Sequence, residues 1–294
     1  MTSVMRRNEA RELIECEQKR FAEFVGKVRV DVSGGSGSAV AWHRCLTAFS
    51  AERVVPVFAD TETEDPDLYR FLNDCEKLFG QKLTRLNCGK DIWDVFIESR
   101  MMRIMSAGGA CKASVELKQK PLDNHFAESD CDAVAVGLGP DEPERMLRII
   151  KRLYPVPVLF PLCAIPELHY CDVGRCIESL GLKPAALYAD GFIHNNCGGT
   201  CVLAGISQWA AVCKLYPDKF AYAEQREQEF TEATGFTILR DRRGGITRNY
   251  PLSELRADVE AGRAFRNDWK SNCSCMLPDL FAGMDDDMTR EVPE

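Results

Sequence analysis

Ser33-Gly34-Gly35-Ser36-Gly37-Ser38 follows a short β-branched run, Val28 to Val32, and precedes a stretch of helical character from Ala39 to Phe49. Glycines let a backbone approach an anion closely, and successive amides at a helix N-terminus stabilise negative charge. The hydroxyls of Ser33, Ser36 and Ser38 can donate to the same oxygens. Strand, turn and helix in that order point to a bound phosphate chain; the alternative is a glycine-serine loop that only caps a helix. No Gly-Lys-Ser/Thr follows, so the turn is not the Walker pattern.

The second chemistry-bearing stretch is His194-Asn195-Asn196-Cys197-Gly198-Gly199-Thr200-Cys201. Two cysteines flanking two glycines can turn their thiols to one side of a tight loop. Cys273 and Cys275 form another close pair, and four cysteines are the minimum for a closed tetrahedral site or a four-thiolate cluster. The spacing is not the C-x-x-C of zinc ribbons. A [4Fe–4S] cluster, Zn²⁺, and plain structural or redox thiols all remain open for Cys197, Cys201, Cys273 and Cys275. Cys163, Cys171 and Cys176 are alternates that helix burial explains. Cys16, Cys45, Cys75, Cys88, Cys131 and Cys213 sit in apolar or helical patterns and read as small hydrophobes. His169 and His194 lie nearest these features, and each reads as a structural histidine.

The elements that must position these residues alternate. Residues 8–25 have helical spacing, and 28–32 is a strand. Val54 to Ala59 is a second strand, ending in Asp60-Thr61-Glu62-Thr63. A helix follows over 67–79, a third strand over 82–86 and a helix over 91–99. The apolar run 131–138 is a strand, 142–153 a helix and 156–162 a final strand. Strands alternating with helices indicate an α/β, Rossmann-like fold, a parallel sheet with helices on both faces. Ligands in such sheets bind at the carboxyl ends of the strands, where Ser33, Asp60 and Gly137 would emerge. Beyond about residue 160 the pattern becomes mainly helical and cysteine-rich, over 166–181, 201–214, 217–234 and 252–261, with a short strand at 237–240. Two domains are expected, 1–160 for nucleotide and 161–294 for the helical region.

Composition sets the limits. The chain has 294 residues, 28% charged and 45% hydrophobic, with a net charge of −8. That balance argues against a protein that coats nucleic acid, although Arg240-Asp241-Arg242-Arg243 is a local basic strip or a solvated loop. No apolar run approaches the ~20 residues that cross a bilayer, and the first residues lack a signal peptide's apolar core. A cytoplasmic protein is expected, in which fourteen cysteines are not a disulfide framework.

Ser33-Gly34-Gly35-x-x-Ser38 resembles the pyrophosphate loop of the PP-loop ATP pyrophosphatases and phosphoadenosine-phosphosulfate (PAPS) reductases. Three further segments resemble that superfamily in its order: Phe58-Ala59-Asp60-Thr61, the strand end against the adenosine; Glu116 to Leu122, the segment carrying a phosphate-binding lysine, here Lys118; and Val136-Gly137-Leu138-Gly139-x-x-Glu142-x-x-Arg145. Read from residues alone, Asp60 could be a helix cap, Lys118 a solvated lysine and Glu142–Arg145 a surface ion pair. The common loop has aspartate where this chain has Gly37, which would leave Mg²⁺ to Asp60 or to the nucleotide. Residues 194–201 resemble the Asn-Cys-x-Gly-x-Cys segment of phage-borne PAPS reductase relatives, and sulfur-handling relatives often hold an iron–sulfur cluster.

The resemblance implies an enzyme that binds ATP with Mg²⁺, adenylates an acceptor and releases pyrophosphate, in sulfur transfer or nucleotide modification. Lys118 and Asp60 would be catalytic. Ser33, Gly34, Gly35, Ser36, Ser38, Asp60, Thr61, Gly137, Glu142 and Arg145 would hold the nucleotide. The acceptor could be tRNA, DNA or a small metabolite, with a sulfur-donor protein as a further partner. A PAPS reductase releasing sulfite is the second possibility, but the Glu-Cys-Gly-Leu-His motif of its nucleophile is missing. A regulatory protein that binds nucleotide without turnover is the third.

Overall fold

A computed structural model describes residues 3–105, 110–165, 172–192, 194–242 and 245–265. The first half runs α1 (Ser3–Glu23), β1 (Val28–Asp31), α2 (Ser36–Ala48), β2 (Val54–Asp60), α3 (Pro66–Phe79), β3 (Thr84–Asn87) and α4 (Ile92–Ser99). A small hairpin, β4 (Arg103–Ile104) and β5 (Ala110–Cys111), leads into a π-helical turn, Ser114–Gln119, continuous with α5 (Lys120–Glu128). Then come β6 (Ala133–Val136), α6 (Pro143–Leu153) and β7 (Val158–Leu159). The remainder is α7 (Val173–Ser179), α8 (Ala186–Ala189), the 3-10 turn Asn196–Gly199, α9 (Ile206–Leu215) and α10 (Pro217–Thr234). It closes with β8 (Leu239–Asp241), β9 (Arg248–Tyr250) and α11 (Leu252–Glu260).

β1 is the centre of a five-stranded sheet of order β3-β2-β1-β6-β7, all neighbours parallel. That position explains its sequence: Val28 and Val30 are fully buried, as continuous apolar strands between two helical layers must be. Arg29 is also fully buried, its guanidinium donating to Asp31 Oδ1 at 2.7 Å and to the Leu122 carbonyl, and lying 5.3 Å over Phe126. This charge is therefore paired, and it fastens α5 to the sheet.

The register sets the site. Asp31 stands opposite Val57 on one side and Val136 on the other, so Ser33, Asp60 and Gly137 leave the sheet at one carboxyl edge, as expected. Helices α2 and α3 face the sheet through Ala39, Trp42, Cys45, Leu68, Phe71 and Leu72, all part of one core with Val30 and Phe58. α3 is capped by Asp65, whose side chain accepts from the Asp67 amide, and ends at Gly80 in the left-handed region.

A second core joins Trp93 and Phe96 of α4 and Leu117 of the π-turn to Trp209, Phe220 and Tyr250 of the later helices and hairpin. Each such side chain contributes about 1.5–3 kcal/mol on burial. Leu117 and Cys201 belong to this same cluster, so it brings the lysine segment and the cysteine turn together.

Some boundaries differ from the sequence reading. α2 begins at Ser36 rather than Ala39, because Gly35 is extended at the N-cap and Ser36 and Gly37 already form the first helical turn. β3 begins at Thr84 rather than 82, and the helix expected over 166–181 is observed at Val173–Ser179, with 166–171 outside the described residues. Both hairpins were unforeseen as pairs; their strands of two or three residues are too short for a period to register. Cys45, Cys75 and Cys131 are buried, whereas Cys16 and Cys88 are exposed, contrary to the expectation for small hydrophobes. Among the described residues no helix is long and apolar enough to cross a membrane.

Candidate functional site at the carboxyl edge of the sheet

The hexapeptide turns from β1 into α2 with its own hydroxyls lacing it shut. Ser38 Oγ accepts from the Ser33 amide at 3.0 Å and from Ser33 Oγ at 3.2 Å, and donates to the Gly35 carbonyl at 2.8 Å. The protons expected to face phosphate from Ser33 and Ser38 thus hold the loop's shape. Gly35 makes no side-chain cap, so the first amides of α2 and the Ser36 hydroxyl are the donors that suit an anion.

Glycine at 37 and at 137 has one cause. A Cβ on Gly137 would stand 2.6 Å from the Gly37 carbonyl and from the Ser38 amide nitrogen, and one on Gly37 would stand 2.9 Å from the Gly137 carbonyl. The end of β6 and the phosphate loop touch backbone to backbone. An aspartate at 37 has no room, so acidic groups at this edge must come from elsewhere. Replacing Gly137 with alanine is expected to push the loop aside and weaken ATP binding at least about tenfold by calorimetry. Gly139→Ala, whose Cβ would meet only Leu162 at 4.0 Å, should bind like the native protein. Equal affinities for all three proteins would remove the loop from the site.

The acidic groups stand at the β2–α3 turn. Asp60 Oδ1 accepts from the Glu62 amide at 2.9 Å and from Tyr69 Oη at 2.8 Å, so Asp60 braces the turn and is not the cap of α3. Thr61 is buried and donates to Glu64 Oε1 at 3.1 Å. The same oxygen accepts from Lys118 Nζ at 3.0 Å, while Glu64 Oε2 is buried without a protein partner. Burial opposes charge on Lys118, but Glu64 and the thiols of Cys197 and Cys111 outweigh it and hold the ammonium protonated well above its ordinary range. Lys118 is a paired, half-sequestered cation at this edge, not a solvated lysine.

The cysteine turn docks on these elements. Asn195 Nδ2 donates to the Gly34 carbonyl at 3.2 Å, with its Oδ1 buried and unpartnered. Gly198 has φ +55°, and a Cβ there would stand 2.7 Å from the Thr63 carbonyl. Lys219 reaches Asp65 and, at 3.4 Å, the Gly198 carbonyl, and Gln208 holds the Gly199 carbonyl at 2.8 Å. Cys197 itself is left-handed at φ 53°, a conformation costing about 1–2 kcal/mol for a side-chain-bearing residue. Strain of this kind collects at working sites.

The thiols of Cys197 and Cys201 meet. Their interaction lowers the Cys197 pKa against its burial, with help from Lys118, and together with burial raises that of Cys201. Cys111 lies close enough to be pushed up to about 11, by burial first and Cys197 second. No group of three or more His, Cys, Asp or Glu among the described residues is arranged to hold a metal ion. Cys273 and Cys275, the other expected ligands, lie outside the described residues, as do Cys171 and His169.

Glu142 and Arg145 pair at the start of α6, and Glu142 Oε2 also accepts from the Gly139 amide at 3.2 Å. They are more than a surface pair. Burial, then the charges of Lys118 and Arg145, lowers the pKa of His194 to about 4. Glu64 and Cys111 were not foreseen, and Asn195 and His194, although within the cysteine stretch, were given no working role. Glu64 is hidden in a run, Asp60 to Asp67, where any acid reads as a cap, and Cys111 has no spacing signal at all.

Residues 27–200, which contain this five-stranded sheet and its loop, match the sequence profile of the phosphoadenosine phosphosulfate reductase domain. The chain belongs to that family. Its members' resemblance was carried in the sequence by the same stretches that now line the edge. Among solved structures, the chain is similar to a PAPS reductase from Candida auris in complex with phosphate, at 14% identity and a TM-score of 0.41, over 61% of this chain and 85% of that one. It is also similar to the U34-tRNA thiolase NcsA from Methanococcus maripaludis with its [4Fe–4S] cluster, at 14% identity and a TM-score of 0.44, over 93% of this chain and 85% of that one. No curated protein matches the chain.

Proposed function

We propose that the protein is an ATP-dependent adenylating enzyme that releases pyrophosphate and passes the activated acceptor to a sulfur nucleophile. The observation behind it is the docking of the thiol turn on the phosphate loop through Asn195 and Gly34, 3.2 Å apart, with Lys118 near both Glu64 and Cys197. A nucleotide alone does not require thiols at its phosphates; an activated acceptor awaiting sulfur does.

An acceptor oxygen attacks the α-phosphate, the bond to the β-phosphate breaks and pyrophosphate leaves. A sulfur nucleophile then attacks the activated carbon and AMP departs. The amides of α2 and the Ser36 hydroxyl hold the phosphates, and Lys118 balances the charge that develops on the leaving oxygens. Catalysis of this type is mostly positioning and charge stabilisation. Mg²⁺ would neutralise the phosphate chain; Glu64 Oε2, buried and unpartnered, and Asp60 are the carboxylates within that edge that suit it. Cys197 and Cys201 offer two soft donors to a zinc ion or a [4Fe–4S] cluster, whose remaining ligands would be Cys273 and Cys275, and no step above depends on such a group.

Purified protein given ATP and a mixture of cellular RNA, DNA and small metabolites as acceptor is expected to release pyrophosphate, and to release no sulfite from PAPS. Sulfite without pyrophosphate would make it a PAPS reductase. Tight ATP binding with neither product would make it a nucleotide-responsive regulator. Iron and acid-labile sulfide in anaerobically prepared protein would assign the cluster.

A further inference from the structure

The β8–β9 hairpin plays no part in these steps, yet its surface is unlike the rest of a chain carrying a net charge of −8. Arg240 and Arg242 are exposed, and among the described residues neither has a carboxylate partner. Arg240 is held instead by Asn249 Oδ1, and its guanidinium lies 5.2 Å over the ring of Phe236. That ring is 55% exposed, and Ile246 beside the hairpin is 75% exposed. The acidic residue of the hairpin, Asp241, is buried and taken up by Arg248 at 2.9 Å, which also binds Glu254 at 2.5 Å. The acids nearby are thus neutralised, while two arginines and an aromatic face are presented outward.

Arg103 links this surface to the site. Its side chain is partly exposed; burial first, and then the charges of Arg242 and Arg240, lower its pKa below the ordinary guanidinium range, against the opposing pull of Cys201 and Cys111. Its Nη2 reaches the Val202 carbonyl, next to Cys201, at 3.4 Å. Three cations near one another repel, and an anion spanning them relieves that repulsion. Arginine forks match phosphate, and an exposed ring with a guanidinium laid on it suits an unpaired base.

We propose that the hairpin and Arg103 form the docking surface for the acceptor, a single-stranded polynucleotide whose phosphates pair with Arg103, Arg240 and Arg242 and one of whose bases stacks on Phe236. A duplex fits less well, because its bases are already stacked and cannot use the ring. The chain of contacts leads along Arg103 to the thiol turn, so the strand would be led to where the activated acceptor meets sulfur. The inference rests on the proposed function only for that last placement; binding itself needs no ATP.

The test is fluorescence anisotropy with labelled single-stranded RNA and DNA of about twelve nucleotides, across a salt series, using the full chain. The native protein should bind at low salt. Arg240→Ala/Arg242→Ala should weaken binding at least about tenfold and flatten the plot of log affinity against log salt by about 1.4, two phosphate contacts' worth for a single strand. Phe236→Ala should weaken binding about tenfold with the salt slope unchanged, a split that loss of charge alone would not produce. Preference between the RNA and DNA arms identifies which polymer is used. No binding by the native protein, native-like binding by the variants, or equal binding of polyglutamate would overturn the proposal. The two readings fail separately. A protein that captures oligomers but releases no pyrophosphate contradicts the adenylation alone, and one that releases pyrophosphate but captures no oligomer contradicts the docking surface alone.

Discussion

Lys118→Met is expected to abolish measurable pyrophosphate release and to destabilise the fold by about 3–5 kcal/mol, the usual cost of stripping one partner from a buried ion pair. Glu64 is fully buried at its side chain, so the carboxylate has no water to fall back on, whereas Lys118 keeps 24% exposure. Without the ammonium, Glu64 keeps only the Thr61 hydroxyl at 3.1 Å, and its second oxygen already lacks a partner. Its carboxyl must then take up a proton or draw in water. Glu64→Gln should cost less, because the amide oxygen still accepts from Thr61 and Lys118 can turn toward solvent. The double variant Lys118→Met/Glu64→Gln should recover about 1–3 kcal/mol of the single lysine loss in urea unfolding, since no uncompensated charge remains. Activity should not recover, because the cation proposed to balance the leaving phosphates is gone. Recovery of both would mean that Lys118 serves the fold alone; no loss of either would remove the pair from the site.

The strands and the hexapeptide were legible because each rests on a local rule. Val28 to Val32 is a valine-rich run between glycine-rich punctuation, and its three valines are buried at the centre of the sheet. Asp60 and Gly137 fall at strand ends, so a parallel alternation alone sends them to one edge. What stayed hidden depends on contacts distant in sequence. Glu64 and Lys118 are 54 residues apart, and Asn195 and Gly34 are 161 apart. No periodicity encodes those meetings; they follow from the second core, where Leu117 and Cys201 pack in one cluster. Gly37 is the instructive intermediate. As a departure from the family loop it looked like a lost metal ligand, whereas the 2.9 Å that a Cβ would leave to the Gly137 carbonyl makes it a requirement of close backbone contact.

His194 carries the last expectation, a loss of stability in mild acid. It is 3% exposed, and burial, followed by the charges of Lys118 and Arg145, lowers its pKa from 6.5 to about 4. Between those values the unfolded chain binds a proton that the folded chain refuses, so stability rises with pH through this window. The full contribution is present above pH 6.5 and is lost as pH falls toward 4. A shift of that size corresponds to about 3 kcal/mol. Asp31, Glu17 and Glu227 act the other way, since burial raises their pKa values above the ordinary carboxylate range, and the His194→Gln comparison separates their effect from that of the histidine. Urea midpoints measured at pH 7, 6 and 5 should therefore fall steadily for the native protein. They should fall much less for His194→Gln, which keeps a polar side chain of similar reach and cannot take the proton. The thermodynamic loss has a functional counterpart: a proton forced onto His194 adds a third positive charge beside Lys118 and Arg145 and strains the turn that Asn195 ties to the phosphate loop. ATP affinity should consequently fall with stability, and a variant that flattens one pH profile should flatten both. Parallel slopes for native and variant proteins would place the acid sensitivity elsewhere in the fold.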